Sequence, residues 1–456
     1  MSTRSLLLLT AAVAAIALSG CGVFKDGDDA PPLEGTRVSL FQMEEEISHN
    51  TTGAAGEEGA SAGAVKAADS AMDLPAPWRN EFWPQAGGYA NHAMQHVALN
   101  GGELNKIWSS SIGAGADKNL PLNSQPVAAD GRVFALDTEA RVRGFDAATG
   151  KTLWTAKVKP EAEDDPVIGG GVAFSGGRLF VTAGFNEVVA LNPNDGSELW
   201  RVKVPGAVRS APSAMPDRVY VVTLDNQTIA LQAEDGKQLW THQGLTETTG
   251  LLGAASPAAN RDIVLPAYSS GELYALQAET GMTSWSDTVA PMARSGMGAS
   301  FSDIRGLPVI DRGTVVAISY GGRIAAIDER TGERKWDARI AGSQTPFLAG
   351  NRVFLVNSDS AVMSLDLGNG KVNWSTQLPQ YDNPEDLEGA LVWYGPILAG
   401  NRLLIFASNG QARDIDPKSG AITREWSTGQ NIIAPPIVAG EILFLLSKNG
   451  TLTAWK

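Results

Sequence analysis

Between Phe145 and Trp426 one phrase recurs seven times: FDAATGKTLW, LNPNDGSELW, LQAEDGKQLW, LQAETGMTSW, IDERTGERKW, LDLGNGKVNW and IDPKSGAITREW. In the first six copies glycine falls five positions after the leading apolar residue and tryptophan nine after it. The seventh keeps the glycine and delays Trp426 by two. A unit of this length buries its apolar face only against copies of itself, so the chain is constrained to a repeat architecture.

Each copy reads as the end of one strand, a tight turn and the start of the next strand. Gly150, Gly196, Gly236, Gly281, Gly332, Gly370 and Gly420 follow Asp-, Asn- or Gln-containing stretches and supply the positive φ that a hairpin turn needs. With Trp108, the repeat tryptophans are Trp154, Trp200, Trp240, Trp285, Trp336, Trp374 and Trp426. Their mean separation of about 45 residues is that of a four-stranded propeller blade. Further runs such as RVYVVTLDNQTIAL and RVFLVNSDSAVMSL are rich in β-branched residues and broken by Asn and Asp, as strands are. Helical periodicity is absent here. The fold class expected is all-β, an eight-bladed propeller over residues 101–456, with the eight tryptophans packing between blades rather than caging a ligand.

The two ends of the repeat region point to ring closure. The C-terminal NIIAPPIVAGEILFLLSKNGTLTAWK supplies three strands and lacks a tryptophan strand, whereas LNKIWSSSIG around Trp108 is a tryptophan strand without a blade. Pairing the two completes the eighth blade and removes two free sheet edges.

Arg4 precedes an apolar run, LLLLTAAVAAIAL, too short for a spanning helix and laid out as a secretory signal. It ends in Leu18-Ser19-Gly20-Cys21, which resembles the lipobox of bacterial lipoproteins. That resemblance implies cleavage after residue 20, acylation of Cys21, and, with Gly22 rather than Asp following, sorting to the periplasmic face of the outer membrane. Cys21 is the one cysteine in the chain, so no disulfide framework is available. Residues 21–76 are rich in Gly, Ala, Ser and acid and read as an acylated, flexible tether. Residues 77–100, more aromatic, read as a lead-in packed on the propeller. The net charge of −14 argues against nucleic acid as a partner.

No catalytic constellation emerges. Gly59-Ala60-Ser61-Ala62-Gly63 fits the nucleophile-elbow pattern but has no strand before it or helix after it. His92 and His96 have metal-ligand spacing without an evident third ligand. Asn192, Asn194 and Asp195 belong to a repeat turn and need no calcium.

The phrases LYALQAETGMTSW and IAAIDERTGERKW resemble the tryptophan-docking repeat of the quinoprotein propellers, which include quinone-dependent dehydrogenases and the BamB family of outer-membrane lipoproteins. Those dehydrogenases stack their quinone on two adjacent, disulfide-linked cysteines, which this chain cannot supply. The lipobox, length and propeller-only layout resemble BamB instead, implying a non-enzymatic scaffold, without cofactor or metal, in β-barrel assembly. Its partners would be the periplasmic domains of a BamA-type insertase, nascent outer-membrane proteins, and the bilayer through the acyl anchor. VPGAVRSAP, with Val208 and Arg209, is similar to one insertase-contact loop of that family, two residues shorter after the arginine. FSDIRGLPVID is similar to a second, in which Asp303 matches the first of two aspartates and Arg305 stands where the other would be. A periplasmic quinone-dependent oxidoreductase and a polysaccharide- or peptide-binding lipoprotein are the alternatives.

Overall fold

The computed structural model describes residues 71–246, 255–289 and 304–456. These contain strands and no helix. Eight four-stranded antiparallel sheets form the blades of a ring: residues 127–157, 171–203, 213–243, 258–288, 309–338, 347–377 and 393–427 make blades 1 to 7, and 437–455 joins 106–111 in blade 8. Blades 1 to 7 follow chain order from first strand to fourth. First strands of successive blades approach one another and line the axis.

The repeat phrase forms the third-to-fourth-strand turn of blades 1 to 7, and its seven glycines have φ between 71° and 75°. They have a second task. A Cβ on Gly150 would lie 2.5 Å from the Trp108 ring, one on Gly281 would lie 2.5 Å from Trp240, and one on Gly370 would lie 2.5 Å from Trp336. Every repeat tryptophan except Trp426 lies flush against the next blade's turn. The indole N–H then donates to a carbonyl of that turn, as in Trp154 to Pro193 (2.9 Å), Trp240 to Ala278 (3.1 Å) and Trp336 to Leu367 (2.8 Å). Within its own blade the ring meets a second-strand aromatic, such as Phe134–Trp154 and Tyr220–Trp240, both at 5.8 Å. The same side chain therefore closes one blade and fastens it to its neighbour.

Blade 8 is the seam. Lys106–Ser111 pairs antiparallel with Thr451–Trp455, with Ser109 opposite Thr453 and Ser111 opposite Thr451, and Asn105 and Lys456 exchange backbone hydrogen bonds of 2.9 Å. Trp108 reaches Ala147 of blade 1 through its indole N–H (3.0 Å) and packs on Phe444 (5.8 Å). Blade 8 has no repeat turn for Trp426 to meet. Its indole donates instead to Asp414 of its own blade (2.8 Å), and its ring packs edge-on to Trp455.

The segment before the seam is a strap across the hub. Going round the ring, the Asn80 carbonyl accepts from Gly440 of blade 8, Trp83 exchanges backbone bonds with Ala128 of blade 1, and the Pro84 carbonyl accepts from Phe174 of blade 2. The Gln85 side chain bonds both ways with Ala214 of blade 3 (2.6 and 2.9 Å). Ala90 and Asn91 accept from Ala259 and Ile310 of blades 4 and 5. The Gln95 amide oxygen accepts from Gly350 of blade 6 (3.0 Å), and Val97 bonds Leu398 and Gly400 of blade 7. One stretch of fewer than two dozen residues thus touches the first strand, or the turn after it, in all eight blades.

The strap begins earlier than the 77–100 lead-in expected from composition. Asp73 bonds Asn351 both ways, the Ala71 carbonyl accepts from the Asn351 side chain, and Met72 and Leu74 pack against the core of blades 6 and 7, so two apolar residues and three backbone groups bind a segment whose composition resembles the tether. The remainder of the expected tether, Cys21 and the 59–63 pattern lie outside the described residues. A second unforeseen feature is a hairpin between blades 6 and 7, Tyr381–Asn383 paired with Glu388–Ala390, whose tip carries the exposed Leu387.

His92 and His96 serve the strap. His92 Nδ1 bonds the Pro308 carbonyl (2.6 Å), and His96 bonds the Pro75 carbonyl through Nδ1 and Asn401 N–H through Nε2, which leaves His96 no nitrogen for a metal. Complete burial pushes the His92 imidazole down to about 4, the Pro308 bond opposing. The unfolded chain therefore binds a proton that the folded chain refuses between roughly pH 6.5 and 4, and stability falls as pH drops through that window. His92 also has φ of 60°, which asparagine tolerates. His92→Asn is expected to keep the Pro308 bond and remove about 3 kcal/mol of the loss in stability between pH 7 and pH 4. Urea titrations at both pH values check this; an unchanged acid limb in the variant would refute it.

Candidate docking face and axial funnel

Because first and third strands run in parallel, connections between blades all emerge on the face opposite the repeat turns. The loop between blades 2 and 3 is pinned there by its backbone. Val208 exchanges bonds with Phe185 and Gly184, Ala207 accepts from Leu224, the Arg209 carbonyl accepts from Gly170 (2.8 Å), and the Ser210 carbonyl accepts from Thr182 Oγ1 (2.7 Å). This approach requires glycine: Gly170 has φ of 98°, and a Cβ there would lie 2.1 Å from the Thr182 carbonyl oxygen.

The expectation that Val208 presents an apolar contact is corrected by its burial. Its side chain is 0% exposed, in the core formed with Val204, Val221 and Ile229. Its burial anchors the loop, and Arg209, the next residue, is half-buried in the wall of a cavity. Arg305, exposed on the connection between blades 4 and 5, borders the same cavity. The 2–3 and 4–5 connections are not adjacent, since the 3–4 connection lies between them. Asp303 lies outside the described residues.

Arg209 and Arg305 both line one axial funnel of about 490 Å³. The strap forms its floor through Trp83, Gly87 and His92, and connections between blades form its walls. Burial pushes the Tyr394 phenol up to about 12, and the Arg305 guanidinium opposes that shift; both residues line the funnel. Among the described residues neither guanidinium makes an ion pair. No described lining residue is Asp or Glu. Sequence reasoning found both arginines and missed Tyr394, the floor and the funnel itself, which exists only once the ring closes.

A sequence profile described as outer membrane protein assembly factor BamB matches residues 93–168 and 138–376, more than half of the chain. The chain belongs to the BamB family. BamB of Escherichia coli K12 is 29% identical over 350 residues, which cover 76% of this chain and 87% of that protein. BamB of Xanthomonas campestris is 29% identical over 363 residues, covering 78% and 86%. Among solved structures, BamB from Moraxella catarrhalis superposes with a TM-score of 0.62 at 19% identity, covering 78% of this chain and 98% of that one. A quinohemoprotein alcohol dehydrogenase from Comamonas testosteroni reaches the same TM-score at 14% identity, covering 83% and 81%. At such identities the likeness is one of fold. The BamB relatives are named as assembly factors, not enzymes.

The described lining of the funnel does not fit a calcium ion. Calcium needs oxygen ligands with carboxylates among them, and the described lining has none. Among the described residues no cluster of His, Cys, Asp and Glu could hold a metal.

Proposed function

We propose that this member of the BamB family is a lipid-anchored scaffold on the periplasmic face of the outer membrane, docking through its funnel face onto the periplasmic domains of the barrel insertase. The observation that carries this reading is the convergence of Arg209 and Arg305, from loops far apart in sequence, on one face of a stiff ring. Loops held by a rigid scaffold suit partner recognition, and arginine beside a buried anchor is a frequent source of interface energy. The strap and seam support the same reading, because they fix the relative positions of connections from different blades. Cys21 supplies the anchor, and the intact mass of the mature protein reports its acyl chains directly.

The test is affinity purification from detergent-solubilised outer membranes, quantified for the insertase. Arg209→Ala and Arg305→Asp are each expected to lower co-purification roughly thirtyfold, about 2 kcal/mol, with little change in melting temperature. Asp303→Arg tests the remaining charged position that the family resemblance singles out. Unchanged recovery with all three folded variants would move the interface elsewhere on the ring.

A further inference from the structure

We infer that the axial funnel is a binding site for an extended peptide segment bearing a carboxylate beside an apolar side chain. The charge pattern is the first reason. In a chain with 50 acidic and 36 basic residues, the described lining of this cavity holds two arginines and no carboxylate. Neither guanidinium is neutralised by an ion pair among the described residues, and a paired guanidinium and carboxylate make one of the stronger polar contacts available to proteins.

The second reason is the wall. Leu307, Phe347, Ile397 and Ile433 line the cavity together with several prolines, and a volume of about 490 Å³ lies within the range of ligand-binding pockets, roughly 300 to 1,000 Å³. The strap closes the floor, so the site is blind and an occupant enters end-on or as a turn.

The floor supplies the third reason, and it selects a peptide over a simple anion. Trp83 Nε1, Ser210 Oγ and His92 Nε2 are buried and have no hydrogen-bond partner, and all three residues line the cavity. Buried polar atoms are nearly always paired in folded proteins, so three such atoms around one cavity are a signature of a missing partner. The indole N–H and the hydroxyl can donate to a carboxylate or carbonyl oxygen. His92 differs: its Nδ1 donates to the Pro308 carbonyl, which makes the neutral ring's Nε2 an acceptor. A peptide provides both an oxygen for the donors and an N–H for this acceptor; an inorganic anion without a hydroxyl, such as sulfate, provides only the first.

This inference stands apart from insertase docking, because it is read from purified protein and short peptides alone. The full mature protein in detergent is titrated calorimetrically with N-acetylated Gly-Ala-Phe as the free acid, the same N-acetylated peptide as its amide, and N-acetylated Gly-Asp-Phe amide. Saturable binding of the free acid is expected, with the uncharged amide at least tenfold weaker. Arg209→Gln and Arg305→Gln should each weaken the free acid roughly tenfold. Trp83→Phe, which keeps the ring and removes the donor, should weaken it several-fold. Tyr320→Glu is expected to abolish binding; this rim residue is 45% exposed, so the substitution adds a carboxylate to the lining without disturbing the core. If Gly-Asp-Phe amide matches the free acid, internal acidic side chains serve as well as chain ends; if only the free acid binds, chain ends are the ligand. Equal binding of the uncharged amide, absence of saturable binding by both carboxylate peptides, or indifference to both Arg→Gln variants would overturn the assignment. Loss of insertase recovery with peptide binding intact would leave it standing.

Discussion

Deletion of residues 71–113 is expected to abolish cooperative thermal unfolding, leaving a chain that binds hydrophobic dyes and aggregates. The deletion removes the strand that pairs with Thr451–Trp455 and every strap bond to the hub. It also exposes the edge of blade 8, a template for intermolecular pairing. Domains are stable by only about 5–15 kcal/mol, and this loss exceeds that margin. Single substitutions divide the effect. Trp108→Ala, a half-buried ring that holds Phe444 and Ala147, should cost about 3 kcal/mol. Gln85→Ala strands the Ala214 N–H and carbonyl in a buried site and should cost about 2 kcal/mol. Deleting 22–70, whose composition supports no core, should leave the melting curve nearly unchanged. A 71–113 deletion that melts cooperatively near the wild-type temperature would show that eight blades close without strap or seam.

How much of this was legible in the chain follows from where each feature stores its information. The blades were legible because the constraint is local and repeated: a glycine at positive φ and a tryptophan four or six residues later. Closure was legible from the orphan strand around Trp108, because an unpaired strand and an incomplete blade have one mutual solution. The strap was visible only as an aromatic stretch. Many of its bonds to the hub are made by backbone groups, as at Trp83, Pro84, Ala90 and Val97, and backbone groups leave no residue signature; the side-chain bonds of Asn80, Gln85, Asn91, His92, Gln95 and His96 come from residues with no common pattern. Val208 misled for a related reason. An apolar residue beside an arginine reads equally as a contact or as an anchor, and the glycines that decide the matter lie elsewhere in the chain, Gly170 between blades 1 and 2 and Gly184 in a turn within blade 2. The hairpin 381–390 carried turn residues at Asn383-Pro384, but its acidity concealed its pairing. The funnel had no signal at all, since its lining comes from the connections of every blade.

The repeat glycines should be far less replaceable than their turn geometry alone requires. Gly313 and Gly281 have nearly the same backbone, with φ of 76° and 72°, and differ in surroundings: a Cβ on Gly313 meets nothing within 4 Å, whereas one on Gly281 meets the Trp240 ring at 2.5 Å. Gly313→Ala therefore carries only the cost of the left-handed conformation, about 1 kcal/mol. Gly281→Ala carries that cost and must also displace a tryptophan that is 9% exposed and bonded to Ala278, for a total of about 3 kcal/mol or more. The excess belongs to one contact, so it should disappear when that contact is removed. In a Trp240→Leu background, itself destabilised, Gly281→Ala should cost no more than Gly313→Ala, giving a coupling of about 2 kcal/mol in the double-mutant cycle. Chemical denaturation of the four proteins measures it. A coupling near zero would mean that glycine is required at the turn for its φ alone, and that the spacing of glycine and tryptophan in the phrase reflects two separate constraints rather than one joint between neighbouring blades.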